Sequence, residues 1–222
     1  MLNMRSEIKI PINNNFELYF DNWINFKSKI QKQYEDRFIN SIYYDNDNFT
    51  TARDNLAGIS NRRKYRIRWY NDKDKNFNYE IKIKKDNLGK KLFLKSDHSL
   101  LDVDLLFSNK NNFLKKKENE FFLNYLCLNN LLPKMNVSYL RSYFVYQKKI
   151  RITYDRQISY KLINKKSLKK NIMKDFMNVI EIKFEPENKN LALNLIRNSN
   201  FNPKRFSKYL RGLHLFGISN YL

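Results

Sequence analysis

Arg62 to Tyr70 reads RRKYRIRWY, and Tyr79 to Lys85 reads YEIKIKK. These two stretches decide the fold. In an extended chain successive side chains point to opposite faces, so Arg62, Lys64, Arg66 and Arg68 share one face of the first stretch. Tyr65, Ile67 and Trp69 take the other. The second stretch repeats this, with Glu80, Lys82 and Lys84 opposite Ile81 and Ile83. Period two, together with β-branched and aromatic residues, predicts β-strands. Working outward, the same pattern occurs at Arg5–Ile10 (RSEIKI), Ser41–Asp45 (SIYYD), Leu92–Lys95, Val137–Tyr146 (VSYLRSYFVY), Lys149–Asp155 (KIRITYD), Gln157–Ile163 and Val179–Glu185 (VIEIKFE). Helical spacing interrupts it at Phe16–Ile30, Lys110–Leu132, Asn188–Asn198 and Arg205–Leu215. The last of these puts Phe206, Tyr209, Leu210 and Leu213 on a core-facing stripe, with Lys204, Lys208 and Arg211 on another face. No internal repeat and no long linker divides the chain. The expected architecture is a single α+β domain over residues 1–222, with roughly seven to nine mostly antiparallel strands.

Composition narrows the function. Among 222 residues, 43 Lys+Arg face 22 Asp+Glu, a net charge of +21, which calls for a polyanionic partner. An Asn/Lys/Ile-rich composition accounts for part of the lysine excess and explains the arginines less well. Hydrophobic residues at 42% and aromatics at 15% are too many for a disordered basic tail. The four glycines permit no G-x-G-x-x-G, and Ile218 stands where a P-loop beginning at Gly212 needs its lysine. His98, His214 and the lone Cys127 cannot build a zinc site, and one cysteine makes no disulfide framework. No transmembrane run and no signal peptide are read, so a cytoplasmic location is expected.

An antiparallel sheet ordinarily buries one face and exposes the other, so one cationic strand face means little. Here Arg66, Arg68, Lys82, Lys84, Arg141, Arg151 and Lys183 fall on the charged faces of different strands. Like charges set opposite one another repel unless an anion lies between them. The helices bring apolar stripes that must cover the apolar strand faces. The charged faces are then left to line a groove or the interior of a closed sheet, and a closed antiparallel β-barrel with flanking helices is the expected form. Such a lumen suits a chain of phosphates. Glu7, Glu80, Asp155 and Glu181 sit among these cations. Internal ion pairs and oxygen ligands for Mg²⁺ or Mn²⁺ are the two readings of them.

The ordered set of strands resembles the VTC (vacuolar transporter chaperone) polyphosphate polymerase domain, within the triphosphate tunnel metalloenzyme or CYTH-like superfamily. RSEIKI resembles the family's opening strand, with Lys9 at its phosphate-binding lysine. SIYYDN is similar to its S-x-Y-F-D-N/T turn, and YRIRWY to its R-x-R-W-Y, matching Arg66 and Arg68. EIKIKK matches through Lys82, and either Lys91 or Lys95 matches the lysine of the next strand. SYLRSYF matches through Arg141, IRITYD through Arg151, and VIEIKF through Glu181 and Lys183. RFSKYLRG is similar to K-F-S-K-F-x-x-G and implies Arg205, Ser207 and Lys208 near a tunnel mouth. Arg205 in place of lysine and Ile10 in place of an aromatic residue depart from the pattern.

The resemblance implies a tunnel of about eight strands that binds ATP and inorganic polyphosphate and transfers the γ-phosphoryl group to the growing polymer. It implies Arg66, Arg68, Lys82, Arg141, Arg151 and Lys183 as catalytic cations. Lys9, Lys91, Lys95, Arg205, Ser207 and Lys208 would bind phosphate, and Glu181 a Mn²⁺ (or Mg²⁺) ion. It implies a free-standing, bacterial-type domain. No specific nucleic-acid partner is expected, and peripheral membrane association is compatible with the charge. Hydrolase relatives open with Glu-x-Glu-x-Lys, whereas Arg5 opens this strand, which favours polymerase over a triphosphatase acting on inorganic, thiamine or nucleoside triphosphate. The third reading is a basic nucleic-acid-binding module with stacking aromatics. Its weakness is that Tyr65 and Trp69 alternate away from Arg66 and Arg68. The Asp45/Asp47 and Asp102/Asp104 pairs read as turns, and Asp45–Leu56 fails as an EF-hand at Thr50 and Leu56.

Overall fold

Alternation along the chain becomes rows across a sheet. A computed structural model describes residues 5–27, 29–71, 77–85, 88–96, 126, 128–163, 171–197 and 199–218, with backbone alone at 85 and 88–96. In chain order the elements are β1 (Ser6–Asn13), α1 (Glu17–Phe26), β2 (Ile30–Asp45), α2 (Thr50–Leu56), β3 (Arg62–Tyr70), β4 (Phe77–Lys85) and β5 (Leu88–Ser96). Then follow β6 (Leu132–Tyr146), β7 (Ile150–Leu162), β8 (Ile172–Lys174), β9 (Met177–Phe184), α3 (Lys189–Ile196) and α4 (Lys208–Leu215). The hydrogen-bonded order is β1-β9-β7-β6-β2-β3-β4-β5, with β8 paired to β7. This bears out the α+β class with an antiparallel sheet. The closed barrel is not seen: β1 and β5 end the path and do not pair with each other among the described residues.

The chain packs around two cores. The first unit comprises Met1–Phe38, Tyr139–Ser159 and Lys174–Ser207. Its apolar rows are Ile8–Ile182–Ile152 and Ile10–Ile180–Tyr154 across β1, β9 and β7. Phe20 and Trp23 of α1, with Ala192 and Leu195 of α3, cover them. Phe20 stacks on Tyr154 at 3.9 Å between centroids. The second unit comprises Ile39–Ser138, Tyr160–Met173 and Lys208–Leu222. Here Ile42–Ile67–Tyr79 and Tyr44–Tyr65–Ile81 form the apolar rows across β2, β3 and β4. They join a cluster with Phe77, Leu126 and Leu131. Each such side chain, once buried, contributes about 1.5–3 kcal/mol.

Several elements differ from expectation for identifiable reasons. β2 begins at Ile30, eleven residues before Ser41, but its first half is mostly exposed and so carries no apolar alternation to read. The two strands expected at Lys149–Asp155 and Gln157–Ile163 are one, β7, and the break in pattern marks Gln157, whose φ is +53°. α1 ends at Phe26 rather than Ile30. α2 was hidden in a polar stretch: the buried Asp45 carboxylate accepts from the Thr51 and Ala52 N–H groups and from the Thr51 hydroxyl, anchoring the first turn. The helix expected at Lys110–Leu132, with Cys127, lies outside the described residues but for Leu126 and residues 128–132, and β6 already begins at Leu132. His98, Asp102 and Asp104 also lie outside. Among the described residues no helix is long and apolar enough to cross a membrane.

Candidate functional site

The polar rows on the other face of each ladder gather the charged residues into two clusters. In the first unit Lys9, Glu181 and Thr153 form one row across β1, β9 and β7, and Glu7, Lys183 and Arg151 the next. Directly paired side chains in such a ladder lie close enough to interact. Glu181 is thereby surrounded: its carboxylate is 3.0 Å from Lys183 Nζ, 3.5 Å from Arg141 Nη2 and 3.7 Å from Lys9 Nζ. Glu7 lies 3.0 Å from Lys9 Nζ and 3.9 Å from Lys183 Nζ. Lys9 also donates to the Phe206 carbonyl at 3.1 Å, and its own carbonyl accepts from Lys204 N–H, which fastens the segment before α4 to β1.

Arg141 is the centre of this cluster. Its guanidinium grips both oxygens of the fully buried Asp155, Nη2 donating to Oδ2 at 2.6 Å. Burial works against its charge, but the Asp155 carboxylate, Tyr139 and Glu181 outweigh it and hold the guanidinium protonated far above its ordinary range. Arg151, opposite Lys183, is exposed and makes no ion pair among the described residues. Arg5 bonds Glu185 at 2.9 Å.

In the second unit the rows are Tyr43–Arg66–Glu80 and Ser41–Arg68–Asn78 across β2, β3 and β4. Arg66 forms an ion pair with the buried Glu80 and donates to the Tyr43 hydroxyl at 3.3 Å. Arg68 donates to Ser41 at 3.1 Å. Tyr43 stacks on Tyr209 of α4, 5.2 Å apart and 11° from parallel, and the Tyr209 hydroxyl donates to Asp45 at 3.0 Å. Burial alone would raise the Tyr43 phenol; Arg66, Arg68 and Lys208 overcome it and bring the phenol below its ordinary value. Lys208, expected on a face of the helix apart from its apolar stripe, is buried at the start of α4. Lys82 is exposed one row along, opposite Lys64 and Lys91, while Lys95 lies opposite Asn78. Arg205 is exposed and Ser207 half-buried in the segment before α4.

The sequence placed most of these cations on polar strand faces but missed Tyr43, which meets Arg66 through the register that pairs SIYYD with YRIRWY. It left Glu7, Glu80 and Asp155 between two readings, and each has an ion-pair partner. These carboxylates serve as built-in counterions to the cations around them. For a divalent cation the donor set is sparse. No group of three or more metal-ligating side chains occurs among the described residues. Glu181 is the carboxylate that the resemblance gives to a metal, and with three cations around it a Mg²⁺ or Mn²⁺ ion there would have to draw most of its oxygen ligands from outside the protein.

No curated protein sequence matches the chain. Its fold is similar to that of a Hippeastrum protein described as a candidate adenylyl cyclase with a dominant triphosphatase activity, at 11% identity and TM-score 0.55, covering 95% of each chain. A Vibrio parahaemolyticus protein described as a candidate adenylate cyclase aligns at 11% identity and TM-score 0.54, over 96% of this chain and 99% of that one. A Pyrococcus horikoshii protein aligns at 15% identity and TM-score 0.53, over 95% and 99%. At such identities the likeness is one of fold. The VTC domain model, by contrast, matches the sequence itself over residues 5–216, from the opening RSEIKI strand through α4, and the chain belongs to the VTC domain family.

Proposed function

We propose that the chain is a phosphoryl-transfer enzyme that extends inorganic polyphosphate from ATP, acting as one domain within the cationic tunnel its family implies. The supporting observation is the gathering of Lys9, Arg141 and Lys183 on the single Glu181 carboxylate. Fixed cations around an exchangeable anion stabilise a phosphate, and the charge that develops on it, without reorganising. Arg141 and Arg151 offer planar forks to phosphate oxygens, while Lys9 and Lys183 act as point charges. Arg66, Arg68, Lys82 and Lys208 provide a second such group, and Lys91, Lys95, Arg205 and Ser207 extend the phosphate contacts. A terminal polyphosphate oxygen bonds to the γ-phosphorus as the bond to the β–γ bridging oxygen breaks, and ADP leaves. That oxygen is already ionised, so no side chain has to accept a proton. A Mn²⁺ or Mg²⁺ ion held by Glu181 would neutralise further phosphate charge.

The test is product analysis with ATP, Mn²⁺ and a short polyphosphate primer. ADP with a lengthening polymer is expected. Free phosphate without polymer growth would instead support a tunnel triphosphatase, the reading favoured by the activity described for the Hippeastrum protein. Arg5, paired with Glu185 where hydrolase relatives carry a glutamate, speaks against hydrolysis. Nucleic-acid binding by stacking is disfavoured because Tyr65 is buried in the apolar core and Trp69 packs against it. A cytoplasmic setting, where ATP is abundant, belongs to this proposal.

A further inference from the structure

Thr153 lies in the middle of β7 on the same face as Arg151 and Asp155, while Ile152 and Tyr154 on either side enter the apolar core. It is 8% exposed, and its hydroxyl is buried with no hydrogen-bond partner. A buried, unsatisfied hydroxyl is destabilising, and native structures rarely keep one without a reason. Valine has nearly the same shape and would remove the penalty. The residue directly across the ladder is Glu181. That carboxylate is turned to Lys183, Arg141 and Lys9, and two of these three contacts, at 3.5 and 3.7 Å, are longer than a good charge-assisted hydrogen bond.

We propose that Thr153 is a positioning residue for the phosphate-bound state. When a phosphate chain draws Lys183, Arg141 and Lys9 onto its own oxygens, Glu181 gives up these three contacts. The Thr153 hydroxyl, already buried one strand away, then donates to that carboxylate and fixes its direction. The hydroxyl is thus unsatisfied in one state so as to satisfy a carboxylate in the other. This rests on the phosphate-binding role proposed above, and the experiment separates the two.

Tripolyphosphate affinity is measured by titration calorimetry, and ligand-free melting temperature in parallel, for the full chain and for Thr153→Val, Thr153→Ser, Glu181→Ala and the Thr153→Val/Glu181→Ala pair. Thr153→Val is expected to melt no lower than the parent and to bind tripolyphosphate about tenfold more weakly, the loss of one charge-assisted hydrogen bond. Thr153→Ser should restore binding. In the Glu181→Ala background the Thr153→Val penalty should vanish, because the hydroxyl acts through that carboxylate. A parent that fails to bind tripolyphosphate removes the phosphate-binding role and this inference with it. Binding by the parent that Thr153→Val leaves unchanged overturns the inference alone. A penalty that persists without Glu181 also overturns it, by showing a direct contact with phosphate, and a lower ligand-free melting temperature would reduce Thr153 to a structural role.

Discussion

Glu181 and Arg66 are both charged, both in strand centres and both ion-paired, yet they should fail differently when altered. Glu181→Gln keeps an amide oxygen for Lys183, and Arg141 keeps Asp155, so the fold and phosphate binding should persist. If Glu181 holds a metal that neutralises charge in the transition state, turnover should fall by about a hundredfold or more, on the order of 3 kcal/mol. Arg66→Ala removes the ground-state phosphate contact proposed for it and takes an ion-pair partner from the buried Glu80, so binding, turnover and stability should drop together. Mn²⁺-dependent product formation and polyphosphate binding, measured on both variants, check this. Near-normal activity in Glu181→Gln would shift the metal role to another carboxylate. The faces on which these residues lie were legible from alternation, because strand period alone sets them. Their partners were not. That Arg141 meets Asp155 while Arg66 meets Glu80 and Tyr43 depends on cross-strand register, which one segment does not contain.

At the scale of elements, legibility followed burial. β3, β4 and β9 each bury an apolar face and were plain in the sequence, whereas the exposed first half of β2 has no apolar rhythm and was not. The apolar stripe of α4 was readable too, and Tyr209 and Leu213 are buried as it implied. What the stripe could not show is how close the helix sits. A Cβ at Gly212 would lie 2.6 Å from Cδ1 of the fully buried Tyr160 and collide with the Met135 sulfur. Gly212→Ala should therefore cost about 1–3 kcal/mol by overpacking. Thermal denaturation should register this as a fall of several degrees in melting temperature. Because α4 carries Lys208 and the Tyr209 ring stacked on Tyr43, the same substitution should weaken phosphate binding. An unchanged melting temperature would mean that Met135 and Tyr160 yield without loss.

For the whole molecule the dominant fact is a net charge of +21, which any polyanion will meet favourably. Specific binding separates from this general attraction by geometry. Tripolyphosphate should raise the melting temperature well above what sulfate does at equal ionic strength, because it binds the folded state at fixed cations rather than screening the surface. Equal stabilisation by the two anions would leave only screening. One feature of the sheet bears on how the molecule comes into being. β1 has its partner in β9, with Ser6 opposite Phe184, so the strand is synthesised long before the strand it needs. Through most of translation it waits as an unpaired edge, and its alternating Glu7 and Lys9 are the kind of charges that discourage a waiting edge from annealing to the wrong chain. Lys9, which meets Glu181 in the finished protein, thus has an earlier employment as a guard of a nascent strand, and the first core closes only when β9 arrives.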